Sequence, residues 1–388
     1  MTEVQIKAAV EKFEALIREQ DARSEAIKQQ GDFIDYSTLD KLTIGVCGGD
    51  GIGPIITNEA ARVLEFLLKE DVDAGKIEFK TIDGLTIENR VAVNKAIPDD
   101  VLEELKKCPV ILKGPTTTPQ AGDPWPNIES ANVAMRKALD LFCNLRPVKV
   151  PEEGIDWTFF RENTEGAYAV GSKGVNVTDD LATDFVVTTT EGTERIAKLA
   201  YNYARANGKE RVSIITKANI IKTTDGKFLS ICKRIGEEYP EIITDEWYID
   251  ITTAKLIDPK RRRDFKVFIL PNLYGDIITD EAAEFQGGVG TAGSANIGKK
   301  YAMFEAIHGS APRMIREGRG AYADPCSMLR AAVMLLSHIG YVDKANALEA
   351  ALDKCMITEK KLVITGRDDG CTCSEFGDYL METVESLN

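Results

Sequence analysis

Three arginines lie close together in a chain that is acidic over its length. Arg136 closes the segment Ser130-Ala131-Asn132-Val133-Ala134-Met135-Arg136, Arg146 stands in Asn144-Leu145-Arg146-Pro147, and Arg161 opens Arg161-Glu162-Asn163-Thr164-Glu165-Gly166-Ala167-Tyr168. A guanidinium fork matches a carboxylate bidentately, and Ser130 and Asn132 add neutral polar groups that fix orientation. This set suits a small polyanion, so the expected ligand is a di- or tricarboxylic acid. A second constellation follows the apolar run Val267-Phe268-Ile269-Leu270, where Asp276 and Asp280 stand in Tyr274-Gly275-Asp276-Ile277-Ile278-Thr279-Asp280-Glu281. A strand that ends at Pro271-Asn272 and opens a helix puts both carboxylates on one helical face. Two like charges so placed repel unless a cation lies between them, and hard oxygen donors suit magnesium or manganese.

Such side chains need a scaffold that holds strand ends and helix starts side by side. From Leu42 onward, short β-rich runs alternate with longer helical ones: 42–46, 55–70, 77–82, 99–107 and 110–112. That alternation indicates an α/β architecture with a largely parallel sheet. Lys217 follows Val212-Ser213-Ile214-Ile215-Thr216, which places it at the carboxyl end of a strand, where α/β sites form. Ahead of this region, Ile6, Val10, Phe13 and Ile17 recur at helical spacing, and Gln29-Gln30-Gly31-Asp32 reads as a polar linker. The first forty residues are therefore expected to form a helical extension that serves packing or oligomerisation. The glycines at 48, 49, 51 and 53 follow a strand and precede a helix, yet Pro54 occupies the place where a dinucleotide fingerprint needs its last glycine. A Rossmann fold is excluded on that spacing, and so is a Walker A loop, because no Gly-Lys-Ser/Thr follows.

The 388 residues suggest two domains. With 62 acidic against 48 basic residues the net charge is −14, which argues against nucleic-acid and anionic-membrane partners. No apolar run approaches membrane-spanning length. The eight cysteines show no zinc-type pairing, and Glu3 and Glu11 stand where a secretory signal needs basic and then apolar residues, so a cytoplasmic protein with reduced thiols is expected.

Taken in order along the chain, Gly49-Asp50-Gly51-Ile52-Gly53-Pro54, Lys113-Gly114-Pro115, the arginine segments, Lys217-Ala218-Asn219, Asn272-Leu273-Tyr274-Gly275-Asp276, Gly287-Gly288-Val289-Gly290 and His308-Gly309-Ser310-Ala311-Pro312 resemble the β-decarboxylating dehydrogenases, the isocitrate and isopropylmalate dehydrogenase family, from about Leu42 to the C-terminus. The resemblance implies the two-domain isopropylmalate dehydrogenase-like fold. After the 1–40 extension, a large domain would be built from 41–141 and 287–388, with a small domain and dimer interface at 142–286. It also implies an active site in the cleft, shared between the subunits of a homodimer.

The implied chemistry is oxidation of a secondary alcohol followed by loss of carbon dioxide, with Mg2+ or Mn2+ and NADP or NAD as cofactors. On the family's pattern Lys217 is the base for the hydroxyl, and cationic neighbours would favour the neutral amine that accepts a proton. Tyr168 is the acid toward the enolate. Asp250, Asp276 and Asp280 are the metal carboxylates, with Asp250 reaching across from the partner subunit. Arg136, Arg146 and Arg161 bind the carboxylates common to all substrates of the family. Ser130 and Asn132 are polar where isopropylmalate enzymes are leucine-rich, which favours the third carboxylate of isocitrate; homoisocitrate, isopropylmalate and tartrate remain alternatives, as does a non-catalytic regulatory subunit. Thr117, Thr118, Asn219, Gly287, Gly288, His308, Gly309, Arg313 and Asp324 are implied around the nucleotide. Arg313 follows the proline where NAD-using members carry aspartate, which favours NADP.

Overall fold

The computed structural model describes residues 1–120 and 122–387. Twelve strands follow one another along these residues: β1 (Leu42–Cys47), β2 (Ile77–Thr81), β3 (Val110–Lys113), β4 (Cys143–Val150), β5 (Ile155–Glu162), β6 (Val175–Thr178), β7 (Leu181–Thr183), β8 (Arg211–Thr216), β9 (Ile243–Tyr248), β10 (Val267–Leu270), β11 (Gly293–Ile297) and β12 (Ala302–Ala306). The chain divides into two compact units, Phe33–Leu141 with Gln286–Asn388, and Met1–Asp32 with Phe142–Phe285.

In the first unit β1 pairs in parallel with β2 and β3, β3 pairs in parallel with β12, and β11 runs antiparallel to β12. Strands covered on both faces have no need to alternate polar and apolar residues, and β3 is buried at every position. Cys47, Leu85, Leu105, Ile111, Met135 and Met303 form part of the apolar core beside it. Helix α2 (Gly53–Leu67) starts with Pro54 in its first turn, where the missing N–H costs nothing. The glycines before it serve close approach. Gly51 has φ +60°, and a Cβ there would lie 1.9 Å from the Ser310 carbonyl oxygen, while one at Gly53 would lie 2.2 Å from Gly48 O. Asp50 N–H donates to Pro115 O (2.8 Å) and Ile52 N–H to Ser310 O (3.0 Å). The spacing of these glycines thus follows from packing the β1–α2 turn onto two other loops.

In the second unit β4 runs antiparallel to β5, and β5, β10, β8 and β9 are parallel neighbours in that order. Phe159 and Phe268 stack at 4.3 Å, with Trp157 edge-on to both, which locks β5 and β10 together. Strands β6 and β7 form a separate antiparallel pair. Helix α1 (Glu3–Lys28) begins with a Thr2–Gln5 capping box. It belongs to this unit: Phe13 stacks on Phe185 at 4.6 Å, and Ser24 Oγ donates to Glu191 Oε2 at 2.7 Å. Apart from that Phe13 contact, its predicted apolar stripe is not the buried face. Ile6, Val10, Phe13 and Ile17 stay 38–56% exposed, and the buried apolar residues are Leu16 and Ile27. With Arg23 these two lie about a quarter turn around the helix from that stripe, so the face buried within the chain is not the one that hydrophobic periodicity marks. No described helix is long and apolar enough to cross a membrane.

Candidate active site

The second unit brings Tyr168, Arg146, Arg161, Asp276 and Asp280 into one network. Arg161 is the penultimate residue of β5, with its side chain 1% exposed, and the helix Asn272–Glu284 opens directly after β10, β5's neighbour. Gly275 permits this approach, since a Cβ at that position would lie 2.5 Å from Arg161 Cγ. Arg161 Nη1 donates to Asp276 Oδ1, while its Nε and Nη2 donate to Asn272 Oδ1 at 3.0 and 2.8 Å. Tyr168 donates its hydroxyl to the other Asp276 oxygen at 2.8 Å, and the Arg161 guanidinium lies 5.6 Å from the Tyr168 ring centroid. Arg146 of β4 donates to Asp280 Oδ1 (3.1 Å) and Thr279 Oγ1 (2.5 Å), and lies 3.9 Å from Asp276. Two buried guanidiniums therefore face two accessible carboxylates and a phenol.

Lys217 and Asp250 form a second group in the same unit. Lys217 stands one residue beyond β8, where its N–H donates to the buried carboxylate of Asp225 at 2.7 Å. Its ammonium donates to Asp250 at 2.6 Å and lies over the Tyr248 ring. Asp250 occupies the first turn of the helix Ile249–Leu256. The hydrogen bond from Lys217 holds its carboxyl below the usual carboxylate range. Among the described residues no group of three or more His, Cys, Asp or Glu is arranged to hold a metal ion. Within one chain, then, Asp276 and Asp280 share a face and Asp250 stands with Lys217.

The first unit carries the remaining acid-binding candidates. Ser130 caps the helix Ala131–Ala138 without a side-chain cap bond, Asn132 Oδ1 accepts from Thr116 Oγ1 at 3.0 Å, and Arg136 Nη2 lies 3.3 Å from Glu305 Oε1. Arg136 Nε is buried without a hydrogen-bond partner. Thr117 N–H donates to Asp50 Oδ2 at 2.7 Å, and Thr117 Oγ1 shares a hydrogen bond with Ser310 Oγ at 2.8 Å. Thr118 is exposed. In the second unit, Asn219 is exposed as well.

Around the other nucleotide candidates, Gly287 and Gly288 take positive φ of 106° and 96°, and the Gly288 carbonyl accepts from Thr291 Oγ1 at 2.8 Å. His308 Nδ1 lies 3.0 Å from Gly309 O. Ala311 starts the short helix Pro312–Arg316 at φ +43°, a conformation that costs a side-chain-bearing residue on the order of 1–2 kcal/mol. Arg313 is 79% exposed and pairs with Glu317 at 2.5 Å, and Asp324 accepts from Cys326 N–H.

Several residues that shape these groups were not read from the sequence. Glu305 is buried between Lys113 (3.1 Å) and Arg136, and accepts from Asn296 Nδ2 at 2.7 Å. Burial acts to raise its carboxyl, but the two cations and that hydrogen bond outweigh it and hold the group at about 2. Arg90 is fully buried and donates to Thr117 O (2.7 Å) and Glu129 O (3.0 Å), tying the threonine loop to the residue before Ser130. Burial raises the carboxyl of Asp50, which accepts from both Ile87 N–H and Thr117 N–H. Lys113 and Asp50 stand in motifs of the family resemblance, but nothing in the sequence announces that their partners are Glu305, Ile87 and Thr117.

A family model described as isocitrate/isopropylmalate dehydrogenase matches residues 43–380. An isocitrate dehydrogenase [NADP] of Rickettsia prowazekii is 38% identical over 320 residues, 80% of this chain and 62% of the relative, so this chain spans less than two thirds of that protein. A homoisocitrate dehydrogenase of Methanocaldococcus jannaschii is 33% identical across 88% of this chain and 98% of its own length. A mitochondrial protein of Dictyostelium discoideum, named as a regulatory subunit of isocitrate dehydrogenase [NAD], is 34% identical across 91% of this chain and 94% of its own length. The crystal structure of isocitrate dehydrogenase from Methylococcus capsulatus superposes with a TM-score of 0.76 at 32% identity, covering 88% of this chain and 99% of that one.

Proposed function

The chain belongs to the isocitrate/isopropylmalate dehydrogenase family, and from that premise we propose that it oxidises isocitrate to 2-oxoglutarate and carbon dioxide, reducing NADP or NAD. The observation that carries this reading is the network of Arg146, Arg161, Asp276, Asp280 and Tyr168. A dianionic substrate replaces Asp276 and Asp280 as partner of the two guanidiniums, whose planar forks suit its carboxylates. The two aspartates, hard oxygen donors on one helical face, are then available to Mg2+ or Mn2+, and their charge and accessibility fit such an ion. When bound, the cation supplies charge stabilisation at the oxygen that becomes the carbonyl and then the enolate.

The chain's own groups account for the protons. Lys217 accepts the hydroxyl proton and Tyr168 donates a proton to the carbon that has lost carbon dioxide; a nicotinamide, when bound, would supply the acceptor for the hydride of the hydroxyl-bearing carbon. Arg136 joins the other two arginines in binding carboxylates, and Ser130 with Asn132 reads the third one. Asp250 is proposed as the remaining metal carboxylate. Since it stands with Lys217 in one chain, we assign this pair together to the site of a partner subunit, which makes the homodimer the catalytic unit.

Homoisocitrate, isopropylmalate and tartrate are the alternative substrates; polar Ser130 and Asn132 disfavour isopropylmalate, whose branched group needs an apolar wall. A non-catalytic subunit is disfavoured because Lys217, Tyr168 and all three aspartates are present. The deciding experiment is a steady-state assay of the purified chain with isocitrate and manganese, run separately with NADP and NAD. Turnover with isocitrate at least tenfold more efficient than with homoisocitrate supports the proposal; ligand binding without turnover would favour the regulatory subunit.

A further inference from the structure

Helix α1 precedes the residues matched by the family model, yet one of its side chains reaches the loop that carries the proposed acid. Arg23 Nη1 donates to Glu165 Oε1 at 2.8 Å and Nη2 to Thr164 Oγ1 at 2.7 Å. Glu165 is almost fully buried and also accepts from Thr189 N–H at 2.9 Å and from the Thr189 hydroxyl. Thr164 Oγ1 accepts from Arg195 Nη2 at 3.2 Å and donates to Glu162 Oε1 at 2.9 Å. Glu162 in turn accepts from the backbone N–H groups of Thr164 and Glu165. Two buried carboxylates three residues apart repel, and burial together with Glu165 pushes the Glu162 carboxyl up. Arg23 and Arg195 are cations that compensate this charge. From Glu165 a continuous path leads to the reacting groups: its backbone carbonyl accepts from Asn272 Nδ2 at 3.1 Å, Asn272 Oδ1 accepts from Arg161, Arg161 donates to Asp276, and Asp276 accepts from the Tyr168 hydroxyl.

We propose that Arg23 is a positioning residue, through which α1 holds the Thr164–Glu165 turn and so fixes Arg161 and Tyr168 in register with Asp276. This rests on the functional reading above for the roles of Tyr168 and Arg161, but the coupling itself does not depend on which acid is turned over. The helix has other anchors, Glu19 to Lys173 (2.7 Å), Ser24 to Glu191 and Phe13 on Phe185, so loss of the Arg23 side chain leaves α1 docked and removes only its reach into the turn. Arg18 provides a control, since it pairs with Glu14 on the exposed side of the same helix.

The test compares the parent, Arg23→Ala, Arg23→Lys and Arg18→Ala in the full chain, by kcat per folded molecule with isocitrate and manganese and by amide hydrogen exchange over residues 163–168. Arg23→Ala is expected to lower kcat by roughly tenfold to a hundredfold, the scale of a small misplacement of reacting groups, and to speed exchange in that segment. Arg23→Lys, or guanidinium ion added to Arg23→Ala, should restore part of both, and Arg18→Ala should change neither. A purely structural role would lower the thermal midpoint while leaving kcat per folded molecule at the parent value, and that result overturns the proposal. So does a fall in kcat with unchanged exchange, or faster exchange with unchanged kcat. If the parent fails to turn over isocitrate, the functional reading falls on its own, and exchange in Arg23→Ala still decides: an unchanged rate overturns the positioning role.

Discussion

Lys113→Met tests the buried charge cluster that meets Arg136 of the helix Ala131–Ala138. The Lys113 side chain has no exposure and its ammonium lies 3.1 Å from Glu305, which also meets Arg136 at 3.3 Å. Against an ordinary value of 4.5, the Glu305 carboxyl sits at about 2. At about 1.4 kcal/mol per unit, the combined stabilisation of the ionised carboxylate is roughly 3 kcal/mol. The folded value is the depressed one, so this contribution is present above the unfolded value and is lost as pH falls from about 4.5 towards about 2. Removing one partner of a buried pair costs up to about 3–5 kcal/mol, and because Arg136 and Asn296 remain, about 2–3 kcal/mol is expected here. For a unit of this size that is a fall of about 5–10 °C in the unfolding midpoint at pH 7. The gap between parent and variant should narrow as pH falls from about 4.5 towards about 2, the window in which the ionised carboxylate's contribution is lost from the parent. Thermal unfolding followed by circular dichroism at both pH values measures this, with Glu305→Gln and the double variant completing a mutant cycle. A midpoint loss under about 2 °C for Lys113→Met, or single losses that simply add in the double variant, would refute the reasoning.

Asp280→Asn should lower kcat by about a hundredfold or more with the fold intact, several kcal/mol of charge stabilisation being at stake; parent-like turnover at saturating manganese would show that Asp280 is no metal ligand. Ser130→Leu combined with Asn132→Leu should reduce kcat/KM for isocitrate on the order of a hundredfold more than for isopropylmalate, because half-buried polar side chains proposed to read a carboxylate become apolar surface; equal losses for both acids would remove these side chains from substrate selection. Arg313 is 79% exposed and already paired with Glu317, and solvent screens so exposed an ion pair strongly. Any preference for NADP that rests on it should therefore be at most about fivefold, and a shift of more than tenfold in the cofactor ratio on Arg313→Asp would show that this arginine leaves Glu317 for the 2′-phosphate.

Local signals in the chain were sufficient where a residue's role is set by its immediate neighbours. The run Val267–Leu270 followed by Pro271-Asn272 announced both β10 and the helix that carries Asp276 and Asp280, and the strand before Lys217 was visible as an apolar run. The glycine and proline spacing at 48–54 excluded a dinucleotide fingerprint, and the structure supplies the physical reason for that spacing, the close approach of Gly51 to Ser310. The resemblance, carried by motifs in order, led to the family that the comparisons show.

What the sequence did not disclose depends on pairs far apart along the chain. Glu305 lies in the apolar-looking Ala302-Met303-Phe304-Glu305-Ala306, and its burial becomes tolerable only because Lys113 and Arg136 converge on it from 192 and 169 residues away. Arg23 follows the same logic at a separation of 142 residues from Glu165. Periodicity reports which face of a helix is apolar, but a helix as polar as α1 can dock by ion pairs instead, which is why Leu16, Arg23 and Ile27 define its buried face and Val10 and Ile17 do not. A buried charge is costly without its partner and invisible as a pair in one-dimensional pattern. In this chain the groups most hidden from the sequence are therefore those that fix where the legible ones stand: Glu305 for Arg136, Asn272 for Arg161, and Arg23 for the turn between Arg161 and Tyr168.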